Sequence, residues 1–280
     1  MRLESLRTMT TSSATVVAGI GSCRILTPLL LLERKGRIAT RAGSSAAWYT
    51  HSTADALQKI EIITGHRQLS EAEVPLVVHG LHKWQPDTHR PDLLDDVTTF
   101  VVEIASLKLI DYQGLEIQRW CLRDILIEQK VPVEPFLELL SHGVGQRDLN
   151  LLPDTASDQV RDIAARAVAV RQTPEMLIEG LKSIEKRLGR PLVLVPHINV
   201  EGGAGALIPE RVILADALKQ FCDAAPGRTF FDPAIHVRAY GISAALKDLG
   251  HYNPPFEHVM GDLMAPLLKA NSPARSGVAA

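Results

Sequence analysis

The run Val16-Val17-Ala18-Gly19-Ile20-Gly21-Ser22-Cys23-Arg24 decides how this chain folds. A short β-branched apolar segment ends in Gly-x-Gly-Ser-Cys, and a second apolar segment, Ile25 to Leu32, follows at once. That order reads as strand, tight turn, helix. The glycines on either side of Ile20 allow backbone conformations that a Cβ would block. A hydroxyl or thiol at this turn stands at the C-terminal end of a strand and close to a helix N-terminus. There, free N–H groups and the helix dipole favour developing negative charge. The stretch is therefore a candidate nucleophile site whose partners must come from elsewhere in the chain.

Outward from this turn, apolar runs alternate with segments of helical spacing. Arg37 to Arg41 is a second short strand, closed by a loop at Gly43-Ser44-Ser45. Ala56, Leu57, Ile60 and Ile63 form one helical face behind the capping residues Ser52 and Thr53. Thr98 to Ile104 is a near-continuous apolar run, as expected of a parallel strand covered on both faces. Residues 115 to 188 read as mostly helical: Arg119 to Glu128, Phe136 to Leu140, Ser157 to Val170, and a capped helix from Thr173 to Leu188 that Gly189 ends. Two further strands, Pro191 to Val195 and Arg228 to Asp232, flank a helix from Ile208 to Phe221. Pro255 to Lys269 closes the chain as a helix. This alternation predicts an α/β fold: a three-layer α/β/α sandwich on a mostly parallel sheet. The expected organisation is a flexible leader over 1–14, a single domain over 15–270 with a helical insertion at about 115–188, and a flexible tail over 271–280.

Composition narrows the function classes. The 280 residues are 46% hydrophobic and 22% charged, with 30 Lys+Arg against 32 Asp+Glu and a formal net charge of -2. This is no electrostatic footprint for nucleic acid, and 5% aromatics leave little for a base-stacking platform. Cys23, Cys121 and Cys222 form no CxxC pair and no zinc spacing, which reads as reduced thiols in a cytoplasmic protein. No apolar run reaches the roughly 18 residues of a membrane span.

In an open parallel sheet, ligands bind beyond the carboxyl ends of the strands. The predicted strand ends carry Ser22 and Cys23, Gly43, Ser106, His197 and Asn199, Asp232, and finally Asp248 and His251 before the last helix. Asp248-x-x-His251 is the informative pair. A serine hydroxyl needs a base to take its proton, and a histidine oriented by a carboxylate is the usual one.

Gly-x-Gly-Ser-Cys at the first strand with Asp-x-x-His before the last helix resembles the SGNH (GDSL-type) hydrolase superfamily. With Tyr49-Thr50-His51-Ser52 and His251-Tyr252, it is similar more narrowly to the GSCFA-type and capsule-biosynthesis acyltransferase-like relatives. The resemblance covers roughly residues 15 to 110 and 190 to 265. It implies a flavodoxin-like sheet and a serine esterase or O-acyltransferase working without cofactor or metal on an ester of a small molecule or carbohydrate, with an acyl donor where the reaction is a transfer. Ser22 would be the nucleophile, His251 the base and Asp248 its orienter. Gly43 would match the oxyanion-hole glycine. The chain departs from the superfamily at two places. Gly21 precedes the serine where Asp is usual. Ala105-Ser106-Leu107 stands where Gly-x-Asn-Asp is expected, so Ser106, or Asn199 from the next strand, would supply the oxyanion donor. Read from the residues themselves, Arg24 beside Ser22 can bind an anionic substrate group or form a surface pair, and His51 and His197 can line the site or make structural hydrogen bonds rather than act as bases.

Simpler readings exist for each feature. Ser22 can be a helix cap only. Cys23 can be the nucleophile, since a helix N-terminus lowers a thiol pKa, or a small buried residue. Asp248 and His251 can be a surface pair. His79, His82 and His89 fit no standard metal spacing. Gly202 to Gly205 lacks the Lys-Ser/Thr of a phosphate-binding loop. The alternative function is a non-catalytic scaffold of the same fold that binds a carbohydrate or acyl carrier.

Overall fold

The computed structural model describes residues 15–41, 49–78, 91–202 and 205–271. β1 (Val16–Ile20) leads straight into α1 (Cys23–Arg34), which Ser22 caps by accepting the Arg24 N–H on Oγ at 3.3 Å. β2 (Ala39–Arg41) and α2 (Thr53–Ile63) follow, α2 being capped by the Ser52 hydroxyl on the Asp55 N–H at 3.0 Å. After the short α3 (Val74–Val77) comes β3 (Thr99–Ile104), buried at every residue.

The chain then leaves the sheet. It forms β4 (Lys108–Tyr112), β5 (Leu115–Glu116), α4 (Arg119–Glu128), α5 (Val133–Ser141), α6 (Asp158–Arg166) and β6 (Val168–Arg171). It returns through α7 (Pro174–Leu188) to β7 (Leu192–Pro196), α8 (Pro209–Asp223) and β8 (Arg228–Phe230). The last elements are α9 (Pro233–Tyr240), α10 (Ile242–Ala245), β9 (Leu246–Asp248), β10 (His251–Tyr252) and α11 (Pro254–Ala270).

The main sheet runs β2-β1-β3-β7-β8, with every neighbouring pair parallel. Along the chain that is strand order 2-1-3-4-5, a doubly wound sheet whose order reverses between β1 and β3. Alternate residues of each strand enter opposite layers. Ala18, Ile20, Phe100, Val102 and Leu194 join α2, α7 and α8, through Ala56, Ile60, Leu177, Leu181, Leu214 and Leu218. Val17, Val101, Val193 and Val195 join α1, α9 and α11, through Ile25, Leu29, Leu32, Val237, Phe256, Met260 and Met264. The result is the expected three-layer α/β/α sandwich.

A third apolar cluster holds the excursion between β3 and α7. Ile110, Leu115, Leu122, Leu126, Phe136, Leu140, Val160 and Ile163 pack with Ile62, Leu76 and Val77. Its frame is a three-stranded antiparallel sheet, β5-β4-β6. The pattern over 115–188 reads as helical, but the structure places β5 and β6 inside it. Val168-Ala169-Val170-Arg171 pairs with β4 from Lys108↔Arg171 to Asp111↔Val168, so α6 stops at Arg166 rather than running to Val170. The β-branched residues favour that pairing. α7 belongs to the main sandwich, since Leu177, Leu181 and Ile184 pack on its core.

The glycines of the first turn work differently from the expectation. Neither Gly19 nor Gly21 has positive φ. Both are needed for close approach. A Cβ on Gly21 would lie 2.6 Å from Glu103 Cβ, and one on Gly19 would lie 2.8 Å from Leu26 Cδ2. The leader over 1–14, Gly43, the His79, His82 and His89 group, and the tail beyond Asn271 lie outside the described residues. Among the described residues, no helix is long and apolar enough to cross a membrane.

Candidate active site

The turn after β1 sits at the reversal point of the sheet, where a crevice opens between the ends of β1 and β3. A parallel bridge from Gly21 to Tyr49, with the Thr50 N–H donating to the Gly21 carbonyl at 3.0 Å, brings residues 49–52 alongside. The crevice widens into a cleft of 1620 Å³ between the sandwich and the β3–α7 excursion.

Six of the expected site residues line this cleft: Ser22, Arg24, His51, Ser106, His197 and His251. Asp248 stands behind His251. Across the β9–β10 turn, His251 Nδ1 lies 2.9 Å from Asp248 Oδ1 and 3.0 Å from Oδ2. The Gly250 N–H and His251 hold the Asp248 carboxyl below its ordinary pKa. With Nδ1 turned to a carboxylate, Nε2 is the nitrogen left to exchange a proton.

The group closest to Ser22 is one that sequence reasoning missed. Glu103 is fully buried on β3 and faces the turn. Its Oε2 accepts the Ser22 N–H at 2.7 Å and the Ser22 hydroxyl at 2.5 Å. Its Oε1 pairs with Arg24 Nε. Burial alone would push this carboxyl up, but Arg24 and the Ser22 hydroxyl hold it below the ordinary carboxylate range. Ser22 Oγ thus donates to Glu103 and not to His251, and the hydroxyl is only 1% exposed. Arg24 also reaches across the chain: Nη1 donates to the Gly250 carbonyl at 3.0 Å, and Nη2 has no protein partner. One guanidinium therefore ties the Ser22 turn to the loop that carries His251.

The remaining expected residues fall into place less uniformly. His197 Nδ1 lies 3.0 Å from the Ile198 carbonyl. Burial, with Arg24 and Arg211 nearby, pushes its pKa down to about 3, so it is a neutral ring in the wall. His51 offers its carbonyl to the Ala105 and Ser106 N–H groups at 2.8 and 2.9 Å, and its ring meets Tyr49 edge-on. Ser106 Oγ accepts the Lys108 N–H at 2.9 Å. Asn199 is not in the cleft wall. Its amide is committed on both ends to Ile208, taking the N–H at 3.0 Å and giving to the carbonyl at 3.2 Å, which closes the 199–208 loop. Asp232 caps α9. Cys23 lines the cleft with a part-exposed thiol at the first residue of α1, hydrogen-bonded to the Tyr49 hydroxyl.

The profile of the TviD N-terminal domain matches residues 15–266. The chain belongs to the TviD N-terminal domain family. This family is tied to Vi capsule biosynthesis. The match runs from β1 into α11, so it takes in the whole described cleft. It agrees with the capsule-biosynthesis side of the resemblance drawn from Gly21-Ser22-Cys23 and Asp248-x-x-His251, while the SGNH side rests on those motif residues alone. No curated protein and no solved structure matches the chain.

Proposed function

We propose that this TviD N-terminal domain protein is an acyl-transferring serine enzyme: an O-acyltransferase or esterase acting on a carbohydrate ester through Ser22, His251 and Asp248. The observation that carries the reading is the Arg24 bridge. It binds Glu103 beside Ser22 with one nitrogen and the Gly250 carbonyl beside His251 with another, on one cleft at the sheet's reversal point.

Ser22 Oγ bonds to the acyl carbon while its proton, directed at Glu103 in the resting state, passes to His251 Nε2. The donor's alcohol or thiol departs with that proton. A sugar hydroxyl, or water, then attacks the acyl-serine and gives its proton to His251, which returns it to Ser22 Oγ as that oxygen leaves the acyl carbon. Asp248 holds the imidazole and stabilises its charged form. The Ser22 N–H is occupied by Glu103 and Asn199 by Ile208, so Arg24 Nη2, which has no protein partner, and the Ser106 hydroxyl are candidates to meet developing charge on the carbonyl oxygen.

A second reading has a specific observation behind it. The Ser22 hydroxyl is buried and engaged, whereas the Cys23 thiol is part-exposed on the same cleft at a helix N-terminus. Turnover of p-nitrophenyl acetate by Ser22→Ala and Cys23→Ala, with a fluorophosphonate and iodoacetamide mapped on the folded protein, separates the two. The serine mechanism expects Ser22→Ala alone to lose turnover and Ser22 to carry the fluorophosphonate. Loss only in Cys23→Ala transfers the role to the thiol, and full turnover in both variants removes the acyl-enzyme altogether. Asp248→Asn should lower turnover by at least about 100-fold, since the imidazole then loses its orienting charge.

A further inference from the structure

The backbone donors that commonly meet an oxyanion at a strand–helix turn are all engaged here. The Ser22 N–H goes to Glu103 Oε2 at 2.7 Å and the Arg24 N–H to Ser22 Oγ at 3.3 Å. Between them the Cys23 N–H bonds to the Tyr49 hydroxyl oxygen, and the same hydroxyl bonds to the Cys23 thiol. In many serine hydrolases the amide after the nucleophile holds the carbonyl oxygen. Tyr49 stands in front of that amide. It is half-buried and lines the cleft with Ser22 and Cys23.

The segment that carries Tyr49 is pinned on both sides. Gly21 and Tyr49 form a parallel bridge, and the Thr50 N–H donates to the Gly21 carbonyl at 3.0 Å. Asp55, buried on α2 with Lys59 one helical turn further along, takes the His51 N–H at 3.2 Å. The His51 carbonyl takes the Ala105 and Ser106 N–H groups at the end of β3. The His51 ring meets the Tyr49 ring edge-on, with centroids 5.6 Å apart. Residues 49–52 are thereby fixed between the ends of β1 and β3, and the phenolic O–H torsion is the part that can turn.

We propose that Tyr49 is a catalytic residue, the oxyanion donor of the Ser22 turn: its O–H swings from the Cys23 thiol onto the acyl carbonyl oxygen as Ser22 Oγ bonds to the acyl carbon. The assignment rests on the acyl-serine reading of this cleft. As that bond forms, the C=O electron pair moves onto oxygen, and the phenol hydrogen-bonds to it without giving up its proton. Donation from the Cys23 N–H into the phenol oxygen polarises the O–H and strengthens it as a donor. Burial and the Cys23 thiol push the Tyr49 pKa up to about 12, so the hydroxyl stays protonated throughout the neutral range. A neutral donor gains most when charge develops on its acceptor, which favours the transition state over the bound ester.

Turnover of p-nitrophenyl acetate and phosphonylation of Ser22 by a fluorophosphonate, measured on the full chain and on Tyr49→Phe, test it. Tyr49→Phe should lose about 100- to 1000-fold in kcat with KM nearly unchanged. Phosphonylation, which also builds charge on an oxygen at this turn, should slow by at least about tenfold. A tyrosine with a structural role alone would lower Tm and leave both rates intact. Tyr49→Met removes the hydroxyl at similar length and should lose as much if Tyr49→Phe does not fold. In a parent that turns over ester, unchanged rates or a loss confined to KM overturns the assignment alone. A changed rate of Cys23 capture by iodoacetamide, with phosphonylation unchanged, makes Tyr49 a partner of the thiol and likewise overturns it. A parent with neither turnover nor phosphonylation overturns the acyl-serine reading and the assignment with it.

Discussion

Replacing Glu103 by glutamine exchanges one oxygen for an NH₂ group and leaves the side chain's shape alone. Three donors converge on this carboxylate: the Ser22 N–H and hydroxyl on Oε2, and Arg24 Nε on Oε1. A glutamine can keep its oxygen toward only one side. Either Arg24 Nε or the Ser22 N–H then faces an NH₂ group, and the guanidinium, itself 8% exposed, loses its counter-charge. Breaking a buried ion pair from one side costs about 3–5 kcal/mol. Against a total stability of roughly 5–15 kcal/mol, that is a large fraction. At about 2–4 °C per kcal/mol it lowers Tm by roughly 6–20 °C. Urea and thermal unfolding at pH 7.5 measure it. The double variant Arg24→Met/Glu103→Leu removes both charges at similar volume and should recover much of the loss, since apolar replacements of buried pairs are often near neutral. A Glu103→Gln protein within about 1 kcal/mol of the parent, or a double variant no more stable than the worse single one, would refute the account of Glu103 as the anchor of this turn.

Glu116→Gln should flatten the pH dependence of stability. The folded chain keeps a proton on Glu116 up to about pH 9, while the unfolded chain loses it near the ordinary 4.5, so stability falls as pH rises through that window and levels off above it; the variant loses a slope approaching about 1.4 kcal/mol per pH unit, read from urea midpoints between pH 5 and 9. Gly21→Ala puts a methyl 2.6 Å from Glu103 Cβ and 2.8 Å from Ile25 Cδ1, which should cost about 1–3 kcal/mol in unfolding measurements and shift the Ser22 turn enough to lower ester turnover.

The main sandwich was legible because its central strands are buried on both faces. β1, β3 and β7 are rich in Val, Ile, Leu and Phe and their neighbours are helices with clear spacing, so burial on both faces leaves no competing pattern. The small antiparallel sheet was not. β4, Lys108-Leu109-Ile110-Asp111-Tyr112, is short and half-exposed, and β6 follows an alanine-rich segment whose period suits a helix as well as a strand. Its partners are 57–63 residues apart along the chain, a relation that local pattern does not carry.

The same division runs through the site. Ser22 and the Asp248–His251 pair could be picked out, because turn glycines and a three-residue spacing are local. Glu103 was passed over although the signal was there: it is the lone charge in the buried run Thr99-Phe100-Val101-Val102-Glu103-Ile104. A carboxylate in such a run must have a partner, and Arg24 stood two residues from the proposed nucleophile. Asp55 and Lys59 were hidden in a helix read only for its apolar face. Asn199 looked available for the oxyanion because its position beyond β7 was visible, while its closure of a loop onto Ile208 was not.

The contact between Arg24 and the Gly250 carbonyl spans 226 residues. Its two halves are consequently made far apart in time. At about 5–20 residues per second, a ribosome that has released Arg24 needs roughly 11–45 s to produce Gly250. Through the later part of that interval, once Glu103 has been made, β1 and β3 can be present and Glu103 can engage Ser22, while the cleft still lacks the wall that bears His251. The Ser22 turn is thus carried through most of synthesis without the Asp248–His251 pair, and the cleft is complete only when the last elements arrive.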